Sequence, residues 1–151
     1  MIGVISDTHG LLRPEVISVF KDSDLIIHAG DIGSPQVLDE LEAISKVIAI
    51  RGNNDKGEWA KDLPDTDLVA VRGISIYIIH DVKELDLEPA AAGIKVVISG
   101  HSHHPRVEER ENVLFVNPGS AGPRRFNLPV SVARLRVTSV KVEAELIHLA
   151  V

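Results

Sequence analysis

The chain has 151 residues, 44% apolar and 25% charged, with no cysteine and a net charge of −6. Such a length is expected to make a single domain, 1–151, able to bury a full core, and no apolar run is long enough to span a membrane. The lack of cysteine excludes disulfides and thiolate metal sites and fits a cytoplasmic setting, while the acidic balance argues against nucleic acid as a partner.

Residues 1–6, "MIGVIS", run straight into polar residues, so no signal peptide is expected. From there one pattern repeats: a short apolar run, then at once a polar loop. "IGVI" leads to "SDTHG", "LII" to "HAGD", and "VIAI" to "RGNND". Runs of this kind read as strands buried on both faces. Between them, Pro14–Lys21 and the segment "PQVLDELEAI" from Pro35 read as helices, each opened by proline. Ser34 is the expected N-cap of the second, and Val37, Leu38, Leu41 and Ile44 are its apolar stripe. The first half is therefore β-α-β-α-β with parallel strands.

"LVAV-RG-ISIYII" then reads as two strands about an Arg72-Gly73 turn, leading to "HD". "KVVI" leads to "SGHSHH", which holds three of the seven histidines. "VSVARLRV-TS-VKVEAEL" is a hairpin with one wet face. Ala133, Leu135 and Val137 alternate with Arg134 and Arg136, and Val140, Val142 and Ala144 with Lys141, Glu143 and Glu145. The whole is a mixed α/β sandwich.

In an open α/β sheet, ligands gather at the carboxyl ends of the strands. The loops there offer Asp7, His9, Asp31, Asn53, His80, His101 and His103, an inventory of oxygen and imidazole donors that suits metal ions. Asp7 and His9 are two apart, as are His101 and His103, so in extended chain each pair points into one cavity. Asp31 stands alone in its loop, and a carboxylate with two oxygens is the natural bridge between two cations. Each residue taken singly reads more simply as a turn, a cap or a packed histidine; the joint occurrence after buried strands is what points to metal.

"DTH", "GD", "GNND", His80 and "GHSH" follow one another in that order. In this the chain resembles the calcineurin-like metallophosphoesterases, in particular their short single-domain YfcE-type branch. The resemblance runs from Ser6 through "VNPGS" at Val116 to Ser120. It implies a four-layer α/β/β/α sandwich with two mixed sheets and two divalent ions per chain. Asp7, His9 and His103 would hold one ion, Asn53, His80 and His101 the other, and Asp31 would bridge them. Manganese is the first expectation, and nickel, iron, cobalt or zinc suit the same donors. A hydroxide between the ions would attack phosphorus, making the protein a phosphoesterase, and a phosphodiesterase before a monoesterase. The substrate would be a small phosphoester, with no membrane partner; a homo-oligomer is compatible with the sequence.

Asp31, Asn53, Asn54 and His80 are the expected catalytic positions. Many relatives carry histidine where Asn54 stands, and an amide cannot act as a general acid. His28, Asp55 and His104 are candidates to orient the ligands from behind. Asp81 reads as a solvated loop residue before an outer-sphere acceptor, Arg124 and Arg125 as surface charge, and Trp59 as pocket lining or packing. Two rivals to the phosphodiesterase are a nuclease or monoesterase, and an interaction scaffold of the same fold, such as the retromer subunit, with an impaired metal site. All seven ligand positions are filled, which favours the enzyme.

Overall fold

β1 (Ile2–Ile5), α1 (Pro14–Phe20), β2 (Leu25–His28), α2 (Pro35–Glu42) and β3 (Lys46–Ala49) follow one another as expected. The structure, a computed structural model, describes residues 1–125, 127–139 and 141–151. The three strands pair in parallel, with Ile2 beside Leu25 and Leu25 beside Lys46. β3 is only half-buried, because it forms the sheet edge; its apolar run overstates its burial. α2 ends at Glu42, two residues before the end of the apolar stripe, where the Ala43 N–H turns back to the Asp39 and Leu41 carbonyls. Ser34 takes the N-cap position in extended conformation, but its hydroxyl caps nothing.

The hairpin of β9 (Ser131–Val137) and β10 (Val142–His148) adds to β1 and completes the order β10-β9-β1-β2-β3. Ala133, Leu135 and Val137 point into the core, and across the ladder Arg134 stands opposite Glu145 and Arg136 opposite Glu143. Val140, which belongs to the expected alternation, lies outside the described residues.

The second sheet holds β4 (Thr66–Val71), β5 (Ile74–Ile79), β6 (Ile94–Ile98), β7 (Arg106–Arg110) and β8 (Val113–Asn117) in the order β4-β5-β6-β8-β7. Arg72 and Gly73 turn β4 into β5 with φ of 51° and 80°, the two left-handed residues of a type I′ hairpin. Glu111 and Asn112 do the same between β7 and β8, with φ of 51° and 63°. The sequence reading holds no strand at β7 or β8. β7 is "RVEER", an exposed edge strand without the apolar run that marked the others.

The sheets face each other across Ile2, Val4 and Ile27 from one and Ile76, Ile78, Val96, Ile98 and Val116 from the other. α1 and α2 cover the first sheet's outer face with Val16, Phe20, Val37 and Leu41. The layer over the second sheet is thin: a 3-10 turn at Val82–Glu84 and the loop after it, with Leu87 packed on Ile79, Ile94 and Val97. Among the described residues no helix is long and apolar enough to cross a membrane. β1, β2 and β3 run parallel in one sheet, and β5, β6 and β8 in the other. Their carboxyl-terminal loops meet at one rim, where the Gly100 N–H donates to the His80 carbonyl and the His101 N–H to Asp7.

Candidate metal centre

The rim is built from unusual backbone. Asp7, His9, Asp31, His101 and His103 have φ of 56°, 48°, 56°, 68° and 65°. Left-handed conformation is uncommon outside glycine and costs about 1 kcal/mol or more per residue. Among the described residues, the other three non-glycine cases are Arg72, Glu111 and Asn112, all in hairpin turns. The strain therefore falls on five of the seven expected ligands. This corrects the expectation that Asp7 with His9, and His101 with His103, converge because the chain is extended. They are aimed by left-handed turns instead, and the loops are zipped together by His9 N–H to the Asp31 carbonyl and Asp7 N–H to the Gly30 carbonyl, both at 3.0 Å.

Glycine lets these loops touch. A Cβ on Gly52 would fall onto the Asp31 backbone and carboxylate, and one on Gly100 onto Ser6 and Asp7.

Asp7 is fully buried. Its Oδ2 accepts from the Ser6 hydroxyl at 2.7 Å and the His101 N–H at 3.0 Å, which aims Oδ1 inward without a partner. Around that atom stand His103 Nε2 at 3.5 Å, His9 Nε2 at 3.8 Å and His80 Nε2 at 3.9 Å. Asp31 Oδ1 accepts the Asn54 N–H at 2.9 Å, and its Oδ2 lies 3.2 Å from His80 Nε2 and 3.8 Å from His9 Nε2. Asp31 thus reaches one imidazole of each expected set. The Asn54 amide adds a long contact to Asp31 Oδ2 at 3.4 Å, so this residue holds the carboxylate in place.

His80 donates from Nδ1 to the Ala29 carbonyl at 2.7 Å, leaving Nε2 for the centre. Burial pulls its pKa down, but Asp31, the Ala29 carbonyl and Asp7 outweigh burial and raise it to about 9. Burial likewise pushes Asp31 up, yet His80, the Asn54 N–H and His9 hold it well below the usual carboxylate range. His80 Nε2 is near Asp31 without forming a hydrogen bond. Together these shifts describe a pocket that demands positive charge.

Two of the three orienting candidates lie behind the cluster. Asp55, buried, accepts the N–H groups of Gly52, Gly33 and Ile32 at 2.9, 3.0 and 3.1 Å and pins the two loops around Asp31 to each other. His28, also buried, accepts the Gly30 N–H at Nδ1, so Nε2 donates to Thr8 Oγ1, which donates to the Ile32 carbonyl. Burial lowers its pKa to about 4 and keeps it neutral. His104 is exposed, its N–H donates to the Ser102 hydroxyl, and it borders a different cavity beside Ser102 and Asn117. The hydroxyls and amides that hold the loops (Ser6, Thr8, Asn117, Ser120) escape sequence reasoning. Only "NPGS" gave a signal: Asn117 donates to the Gly100 carbonyl at 2.9 Å and Ser120 to the Asp7 carbonyl at 3.0 Å.

His101 and Asn53 stand at the margin. The His101 ring meets His80 edge-on with centroids 5.2 Å apart, and Asn53 is exposed and shares a cavity with His80. Asp81 is more than a solvated loop residue. Its Oδ1 caps the 3-10 turn through the Lys83 N–H, and its Oδ2 lies 3.7 Å from His101 Nε2. Arg124 and Arg125 are exposed, and Trp59 packs against the core under the helices.

Asp7 Oδ1, His9 Nε2, His80 Nε2 and His103 Nδ1 are buried and without hydrogen-bond partners. Unpaired buried polar atoms are costly, and a group that satisfies them repays the cost. Donor atoms of Asp7, His9 and His103, and of Asp7, Asp31 and His80, lie within 4.8 Å of one another. Two carboxylates and several imidazoles fit divalent cations.

The family model of the calcineurin-like phosphoesterase superfamily domain matches residues 1–140. A probable metallophosphoesterase of Methanothermobacter thermautotrophicus is 38% identical over 160 residues, covering 98% of this chain and 92% of that one. The structure of an archaeal phosphodiesterase superposes with a TM-score of 0.80 at 29% identity, over 97% of this chain and 99% of that one. Vps29 of Chaetomium thermophilum gives a TM-score of 0.80 at 19% identity, over 97% and 96%, a likeness of fold alone.

Proposed function

The chain belongs to the calcineurin-like phosphoesterase superfamily, and we propose that within it this protein is a phosphodiesterase dependent on two divalent ions and acting on a small phosphodiester in the cytoplasm. The observation that carries this reading is the convergence of unpaired buried donors on Asp7 and Asp31. Asp7, His9 and His103 would hold one ion and Asn53, His80 and His101 the other, with Asp31 between. Every one of these residues comes from a single chain, within the one domain. When bound, two such ions, manganese the first to try, supply an activated water and Lewis-acid polarisation of the phosphoryl oxygens.

The residues prepare the rest. Ser6 and the His101 N–H fix Asp7, Asn54 fixes Asp31, and the Ala29 carbonyl fixes the His80 tautomer, so the donors are oriented before anything binds. With ions held there, the imidazole-lined site would favour an anionic substrate despite the acidic surface.

Asn54 favours activated diesters. Its amide cannot protonate a departing oxygen, so the leaving group departs as an anion. A phenolate, with a conjugate-acid pKa of about 10, tolerates this far better than an alkoxide. The test is a series of phosphodiesters of graded leaving-group pKa, with alkyl monoesters alongside, assayed with manganese, nickel, cobalt and zinc. Aryl diesters are expected to be the best substrates, and Asn54→His should speed the poorest leaving groups by roughly 10²-fold. An alkyl monoester as best substrate would reject the diester preference. No turnover with any metal would favour a scaffold of the same fold.

A further inference from the structure

A cavity of about 440 Å³ opens beside the centre, over the outer face of β5. It shares His80 and Asn53 with the centre, and Tyr77 and Ile79, two apart on one face of the strand, line it. His80, buried, lines the cavity with its Nε2 turned to Asp31 at 3.2 Å, so the cavity adjoins the centre itself.

The charges around this cavity do not balance. Arg51 donates from Nε and Nη2 to Asp65 Oδ1 at 3.0 and 2.8 Å, and the two cancel. Glu84 and Asp86, from the 3-10 turn and the loop behind it, border the same space, and neither has a salt-bridge partner among the described residues. An aromatic ring and two uncompensated carboxylates therefore stand beside a centre that attracts phosphate.

We propose that this cavity receives the organic arm of the substrate and selects an arm bearing an ammonium group. The preferred substrate is then a phosphodiester with one cationic substituent, a primary amine or quaternary ammonium. This rests on the phosphodiesterase reading and deepens it. The phosphate's negative charge and the arm's positive charge meet opposite partners at opposite ends of one site. Exposed carboxylates attract a cation modestly, and an aromatic ring adds to this when the cation lies over it. An anionic arm meets repulsion, which is the discriminating element.

Three p-nitrophenyl phosphodiesters that share a leaving group test this, with 2-(trimethylammonio)ethyl, 3,3-dimethylbutyl or 3-carboxypropyl as the second arm. The first two have nearly the same shape and differ in charge. With the metal-loaded protein, kcat/KM is expected to be roughly three- to tenfold higher for the cationic arm than for the neutral one, and lowest for the anionic arm. In the E84Q/D86N double variant the cationic-to-neutral ratio should collapse to near one. Calorimetry supplies a readout that needs no turnover: phosphocholine should bind the loaded protein more tightly than 3,3-dimethylbutyl phosphate by a similar factor, and the double variant should lose that difference. A ratio near one in the unaltered protein overturns the proposal, and so does a preference that survives in the double variant. Hydrolysis of all three esters at equal rates would sink the inference and leave the phosphodiesterase standing. Hydrolysis of none would sink the phosphodiesterase, and calorimetry alone would then decide whether the cavity prefers a cation.

Discussion

His80 shows at one residue what the centre demands. Its Nδ1 is committed to the Ala29 carbonyl, and its raised pKa, about 9, means that Nε2 carries a proton at neutral pH when no metal is bound. A proton and a divalent cation compete for that atom. Loading manganese at pH 7 should therefore release about one proton from His80, and binding should tighten as pH rises towards 9 and level off above it. Calorimetry in two buffers of different ionisation enthalpy measures the release; zero protons would contradict the assignment. The sign for folding is separate. A pKa raised on folding stabilises the metal-free protein fully below about pH 6.5, and the contribution is lost as pH climbs through 9. At this scale the sequence was informative about identity and weak about partners. The motif residues stand in "DTH", "GD", "GNND" and "GHSH", whereas Ser6 and Thr8, equally buried, look like any small polar residue until their hydrogen bonds are seen.

Among the elements, the loops carry the information that periodicity cannot supply. Apolar runs marked β1, β2, β5 and β6 because those strands are buried, and the same rule overlooked β7, which is charged and at an edge. The left-handed turns at Asp7, His9, Asp31, His101 and His103 follow no periodic rule, so the i, i+2 spacing of an extended chain is not what brings these side chains together. Two glycines separate close approach from simple strain. Gly52→Ala places a Cβ against the Asp31 backbone and carboxylate, and should cost manganese occupancy as well as stability. Gly73→Ala meets nothing within 4 Å, and at φ of 80° should cost about 1 kcal/mol of stability with metal content unchanged. Thermal unfolding with elemental analysis of both variants checks this. Normal occupancy in Gly52→Ala would mean that the approach of these loops is unimportant to the centre.

For the molecule as a whole, the parallel strands of two mixed sheets deliver carboxylates and imidazoles to a shared rim, and the net charge of −6 surrounds a site whose donors suit cations. The layered fold was legible because β-α-β-α-β and a two-faced hairpin are global patterns. The thin layer at Val82–Glu84 and the charge around the cavity beside β5 were not, since they depend on which loops fold over which face. The central proposal is that one chain assembles two divalent sites about Asp31. Titrating metal-free protein with manganese, read by calorimetry and elemental analysis, tests this most directly. The unaltered protein should bind two ions per chain, and Asp31→Ala should bind weakly at both sites and lose activity. One ion in the unaltered protein, or two tightly held in Asp31→Ala, would contradict it.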